Sequence, residues 1–223
     1  MDLQEQINDV LEFHKGLVYN SLSNTLEGEI FLPDGDCYDV SILVDGFPKN
    51  FPRVSENGGR IPKKMDRHVY PDSGNCCFTT RAKSQILLKT VLKSLLDFVD
   101  EILIPYLENN SYYEINNEYY TEEYSHGNLG IIEGYKDILQ IDDTIKVAKT
   151  MINAVKSKKL VIHQNCYCGS GRRLRKCCRG KHLNNLRRLY MVDKDVIEQD
   201  LNSFNEAIDN YLKEQERLNE ELE

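Results

Sequence analysis

Six of the seven cysteines stand in two groups, and each group has a spacing that could do chemistry. In "CYCGSGRRLRKCC", Cys166 and Cys168 can grip one side of an ion. The Gly169-Ser170-Gly171 step lets the chain reverse, and Cys177 and Cys178 return two more thiolates. Four sulfurs around a tetrahedral Zn²⁺ are the expected structural site. His182 is the reserve fourth ligand; Cys178 is preferred, because a histidine just beyond a basic turn is more often solvated. Four thiolates on a dication leave about −2, which Arg172, Arg173, Arg175, Lys176 and Arg179 would offset. The second group, in "HVYPDSGNCCF", sets Cys76 and Cys77 behind a Gly-Asn step. A catalytic thiol must lie exposed and be held by rigid neighbours, and a thiol after such a turn can do this. The other thiol would then pack as a small hydrophobe.

The rest of the composition says where such thiols work. No basic and apolar leader opens the chain, and no apolar run reaches the length of a bilayer span. Seven cysteines without secretory features imply a reducing, cytoplasmic setting in which thiols serve metals or catalysis. The net charge of −8 conceals a partition: Lys156 to Arg188 hold eleven Lys or Arg and no Asp or Glu, so the remainder is strongly acidic. Such a block marks a separate module. Nucleic acid is disfavoured as its partner by the pI near 5.3 and by the few aromatics in the run, Tyr167 and Tyr190 being the nearest.

The elements that must position these groups follow from periodicity. Leu3, Ile7, Val10, Leu11 and Phe13 predict a first helix near 3 to 15. "NTLEGEIFLP" and "CYDVSILVD", separated by "PDGD", predict a hairpin, and a third strand is expected before Gly58-Gly59. "QILLKTVLKSLLDFVDEILIPYL" predicts one amphipathic helix over about 84 to 104, closed by Pro105. "DDTIKVAKTMINAVKSKK" predicts another. Val196, Leu201, Phe204, Ile208, Tyr211 and Leu212 predict a last helix, whose apolar face must pack on the main domain or on a second copy in a homodimer.

Residues 166 to about 182 resemble the short SEC-C zinc motif, in which Cys-x-Cys-Gly-Ser-Gly is followed by Cys-His or Cys-Cys. Residues 1–140 resemble the ubiquitin-conjugating enzyme (UBC) fold: a helix, a meander with an FP-x-x-(Y/F)-P element, a His-Pro-Asn loop and a Gly-x-(Ile/Val)-Cys-Leu step. Here "FPKNFP", His68 and "GNCCF" stand in those places. The resemblance gives Cys76 the apolar position and Cys77 the catalytic one, with His68 as the loop histidine. The family's His-Pro-Asn becomes "HVY", so its side-chain amide needs a substitute. Asn75, two residues before Cys77, and His126 in "YSHGNLG" are the candidates, as amide donor and as base or orienter.

The expected class is therefore α+β: an antiparallel meander packed on helices over 1–140, a helical connector over 141–160, a SEC-C-like zinc module over 161–185 and a C-terminal amphipathic helix over 186–223. The resemblance implies a divergent bacterial enzyme that carries a protein C-terminus as a Cys77 thioester and passes it to a lysine or other amine. Related enzymes in anti-phage defence suggest as partners a ubiquitin-like protein or a nucleotidyltransferase, together with an activating enzyme. The alternative is a UBC-like adaptor without activity, using the basic zinc module to bind a protein or nucleic acid.

Overall fold

A computed structural model describes residues 2–121, 124–157, 159–205 and 209. The chain divides into two compact units, one of residues 1–79 and 87–123 and the other of 80–86 and 124–223. The first unit thus ends at 123, not at 140, and the division crosses a helix rather than a linker.

In the first unit, helix α1 (Leu3–Phe13) starts on a reciprocal cap in which the Asp2 carboxylate accepts from the Glu5 N–H and the Glu5 carboxylate from the Asp2 N–H. Four antiparallel strands follow as a meander, β1 (Leu17–Asn20), β2 (Thr25–Phe31), β3 (Cys37–Leu43) and β4 (Arg53–Glu56), in spatial order 1-2-3-4. The "PDGD" step closes the β2–β3 hairpin, with the Leu32 N–H donating to Asp36 O at 2.8 Å. The register pairs Ile30 with Tyr38, Leu26 with Ile42 and Ile42 with Val54, so one face of the sheet is apolar and buried. Strand β1 was not expected from the sequence. It is a four-residue edge whose alternation is too short to read, and it depends on a close approach in which a Cβ on Gly28 would strike the Gly16 carbonyl.

The predicted helix over 84 to 104 is instead broken and extended. Helix α2 (Arg81–Thr90) stops, and Ser94 and Asp97 form a second capping box that starts α3 (Leu95–Phe98). A π turn over Val99–Leu103 then leads into α4 (Ile104–Asn116). Pro105 does not close the helix: it lies at the start of α4, after the π turn, where its missing N–H does least damage. Leu95, Phe98, Val99, Leu103 and Leu107 pack with Ile7, Val10 and the sheet in one core.

The second unit has its own core. It comprises the start of α2, α5 (Gly127–Leu139), α6 (Thr144–Lys156), α7 (Lys181–Leu189) and α8 (Lys194–Leu201). Residues 141–160 are no connector, since Val147, Ala148, Met151 and Ala154 of α6 are buried in that core beside Cys166, Cys177, Leu186 and Leu189. The expected single helix over 186–223 is, within the described residues, the end of α7, a turn and α8. Ile197 and Phe204 are buried, the Phe204 ring lying 6.1 Å from Tyr135. Ile208, Tyr211 and Leu212 lie outside the described residues. Among the described residues no helix is long and apolar enough to cross a membrane.

Candidate functional site

The stretch from His68 to Cys77 forms a small hairpin. Cys77 N–H donates to His68 O at 2.7 Å, Val69 pairs with Cys76, and Tyr70 N–H donates to Asn75 O at 2.9 Å. The loop Pro71 to Gly74 turns the chain, and Gly74 N–H returns to Tyr70 O at 2.7 Å. Cys76 N–H bonds to Val54 O at 2.7 Å and Asn75 pairs with Ser55, which fastens the hairpin to β4. Alternation now separates the two thiols. Val69 and Cys76 face the core, 2% and 7% exposed, whereas Tyr70 and Cys77 lie on the other face. Burial pushes the Cys76 thiol up to about 12, so at neutral pH it is a neutral packing group.

Phe78, next in the chain, anchors the half-buried Cys77 by setting its ring 5.5 Å from Phe98 and 5.0 Å from Tyr106. His68 has a left-handed backbone, φ 51°, at the end of a short 3₁₀ turn (Met65–Arg67). Its carbonyl accepts from Cys77 N–H and from the Tyr106 hydroxyl at 3.0 Å. Its ring sits edge-on to Tyr119, with centroids 5.6 Å apart. Burial also pushes the Tyr106 phenol far up, so that it stays protonated and donates.

The structure brings His68, Asn75 and Cys77 into one hairpin, but the Asn75 side-chain oxygen is used as an acceptor for the Ser55 hydroxyl at 3.2 Å. His126 belongs to the second unit, as the N-cap residue of α5. The residue that sequence reasoning missed is Tyr70. Its hydroxyl lies 3.3 Å from Cys77 Sγ, the thiol donating to it. Its sequence signal was its place as the third residue of "HVY".

In the second unit a separate cluster could hold a metal ion: Cys166, Cys168, Cys177 and His182, whose ligand atoms all lie within 4.8 Å of one another. A tight knuckle forms because Cys166 N–H bonds to Arg172 O at 2.8 Å, while Gly169 and Gly171 take left-handed φ of 81° and 71° that a side chain would strain. Cys177 follows on a 3₁₀ turn. Three successive left-handed residues, Cys178, Arg179 and Gly180, then reverse the chain into α7. That reversal leaves Cys178 exposed, its sulfur 4.0 Å from that of Cys177, and sets buried His182, the reserve ligand, in the first turn of α7 beside the other three.

A tetrahedron of sulfurs with metal bonds of about 2.3 Å has edges near 3.8 Å, and a nitrogen shortens them slightly. Cys168 and Cys177 sulfurs are 3.6 Å apart, and Cys166 Sγ lies 3.1 Å from His182 Nδ1. The four donors fit such an ion. Burial pushes the Cys166 thiol up; at Cys168 burial also opposes ionisation, but hydrogen bonds from Ser170, Cys166 and Cys177 outweigh it and bring the thiol down. Tyr167 stacks beside His182 at 5.1 Å and ties the knuckle to α5 by donating to Leu139 O at 2.7 Å. Compared with family models, curated proteins and solved structures, the chain matches none of them.

Proposed function

We propose that the protein is a ubiquitin-conjugating-type acyl carrier of bacterial kind, with Cys77 as the thioester residue and a structural zinc module in its second unit. The observation that carries this reading is the hairpin register: it buries Cys76 and turns Cys77 to the outer face beside a hydroxyl. The order of helix, four-strand meander, His68 loop, Cys77 and then the helical run α2 to α4 supports it, since this matches the order of elements in the family that the sequence resembles. Chemically, the Cys77 thiolate attacks the activated C-terminal carbonyl of a partner protein, such as a ubiquitin-like protein or a nucleotidyltransferase, and displaces the activating group. A lysine amine then attacks the thioester carbonyl, forming the amide and returning the thiolate. In anti-phage defence such a transfer would modify a nucleotidyltransferase.

Zinc fits the second site because three thiolates and an imidazole suit a tetrahedral d¹⁰ ion, and four protein ligands leave no open position for water. The ion's task there is to hold the knuckle and α7 together. With His182 in place of a fourth thiolate the site carries about −1. The basic run from Lys156 to Arg188 then exceeds what the metal site needs, which favours a second reading. In it the protein is an adaptor that docks a protein or nucleic acid on this module.

Incubating the purified protein with a partner supplied as its activated C-terminal thioester separates the two. Acyl transfer predicts an adduct cleaved by thiol reductants, lost in Cys77→Ala and converted in Cys77→Ser to a reductant-resistant ester. It also predicts that Cys76→Ser keeps the adduct. Transfer retained in Cys77→Ala rejects the carrier reading, and partner binding without any adduct favours the adaptor.

A further inference from the structure

We propose that the Tyr70 hydroxyl is the group that holds and activates the Cys77 sulfur, a phenol taking the place of the loop amide that "HVY" lacks. Its functional meaning rests on Cys77 being the acyl carrier, but the contact itself can be tested without any partner.

The geometry follows from the hairpin. Tyr70 and Cys77 are diagonal neighbours on one face, a spacing that only a long side chain can bridge, and the phenol does so at 3.3 Å. The backbone on both sides is fixed: Tyr70 N–H bonds to Asn75 O, and Cys77 N–H bonds to His68 O, itself held by Tyr106. Neither partner can drift far. Asn75, the amide that the sequence offered as a substitute, has its oxygen committed to Ser55.

A phenol suits this position because its proton can turn. While Cys77 is a thiol, S–H donates to the phenol oxygen. Once the sulfur ionises it can only accept, and the Tyr70 O–H rotates to donate to it. A donor to the charged form favours that form. When the sulfur is acylated it no longer carries charge, and the same O–H is released toward the thioester oxygen, which gains charge when an amine attacks. When the thiolate leaves, the O–H returns to it. One hydroxyl thereby serves the nucleophile, the intermediate and the leaving group.

Other titratable groups face this hairpin from its own strand, from α4 and from β4. On its own strand, burial holds Cys76 neutral. From α4, Tyr106 is held neutral by burial and aimed at the His68 carbonyl. Across the hairpin, the His68 ring packs on Tyr119, and Glu56 of β4 acts on Cys76 from the core side.

The test is the pH profile of the reaction of Cys77 with a small neutral disulfide, read at Cys77 by mass spectrometry in a Cys76→Ala background, with and without Tyr70→Phe. Tyr70 is 45% exposed, so phenylalanine leaves the fold intact, as a thermal melt will verify. Losing the donor should move the midpoint up by about one unit, a tenfold smaller thiolate fraction at neutral pH. The more basic thiolate is also the better nucleophile, with a Brønsted slope of about 0.4–0.5, so the high-pH plateau should rise roughly threefold while the neutral rate falls roughly threefold. Crossing profiles support the contact. Superimposable profiles, or a uniform slowing at all pH values, overturn it. A shifted profile in a protein that forms no thioester would sink the carrier reading and leave the Tyr70 contact standing.

Discussion

At the scale of single residues, the metal cluster makes the sharpest demand on individual side chains. Cys166, Cys177 and His182 are buried, and a buried polar group must be satisfied or it destabilises the fold. A tetrahedral ion such as Zn²⁺ would satisfy all of them at once. One zinc per chain is therefore expected in purified protein, with most of it lost in Cys166→Ala and in His182→Ala. Cys178→Ser, an exposed position outside the cluster, should retain full stoichiometry. Metal content after gel filtration measures this, and the opposite ranking of His182→Ala and Cys178→Ser would restore the four-cysteine set.

At the scale of elements, the β2–β3 turn is joined to α4 by an ionic network. Arg60 bonds both Asp36 carboxylate oxygens at 2.7 Å and Glu114 at 2.8 Å, lies 4.0 Å over the Tyr38 ring, and shares Asp36 with the Ser111 hydroxyl at 2.9 Å. The Arg60 hydrogen bonds hold the Asp36 carboxyl well below the usual carboxylate range. A carboxyl depressed on folding contributes stability above its unfolded value near 3.9, and that stability is lost as pH falls toward the folded one. Both side chains are about a third exposed, so solvent screening leaves about 1 kcal/mol. Asp36→Asn should cost about that at pH 7 and clearly less near pH 2, where the wild type has lost part of it because pH 2 lies between the unfolded and the folded value. Urea midpoints at the two pH values measure the difference; an equal loss at both would remove the ionic explanation.

At the scale of the whole molecule, the described residues form two hydrophobic cores, one per unit, and the Cys/His cluster belongs to the second. Because a structural metal's binding free energy is folding free energy for the segment it closes, a chelator should act on one unit. Removing the metal is expected to abolish slow amide exchange in α6 and α7, while β2 and β3 keep theirs within about twofold. Hydrogen exchange with mass detection distinguishes the units. Equal loss of protection in both would mean that the cores unfold as one.

What was legible in the sequence by itself was whatever neighbours along the chain decide. The "PDGD" turn and the flanking alternation place β2 and β3, the apolar period places α6, and the Cys-Gly-Ser-Gly step announces a knuckle, because turns and periodicity are set within a few residues. The α+β class follows from them. Tertiary structure alone decided which groups meet. Adjacent Cys76 and Cys77 are alike in composition, and only the register of their hairpin against Val69 and β4 sends one inward and one outward. Cys178 follows Cys177 directly and His182 is four residues further, yet three left-handed residues put the farther one in the cluster. Tyr70 reaches Cys77 across seven residues for the same reason. Spacing measures distance along the chain, whereas ligation and catalysis depend on direction in space, and each turn between two residues changes that direction.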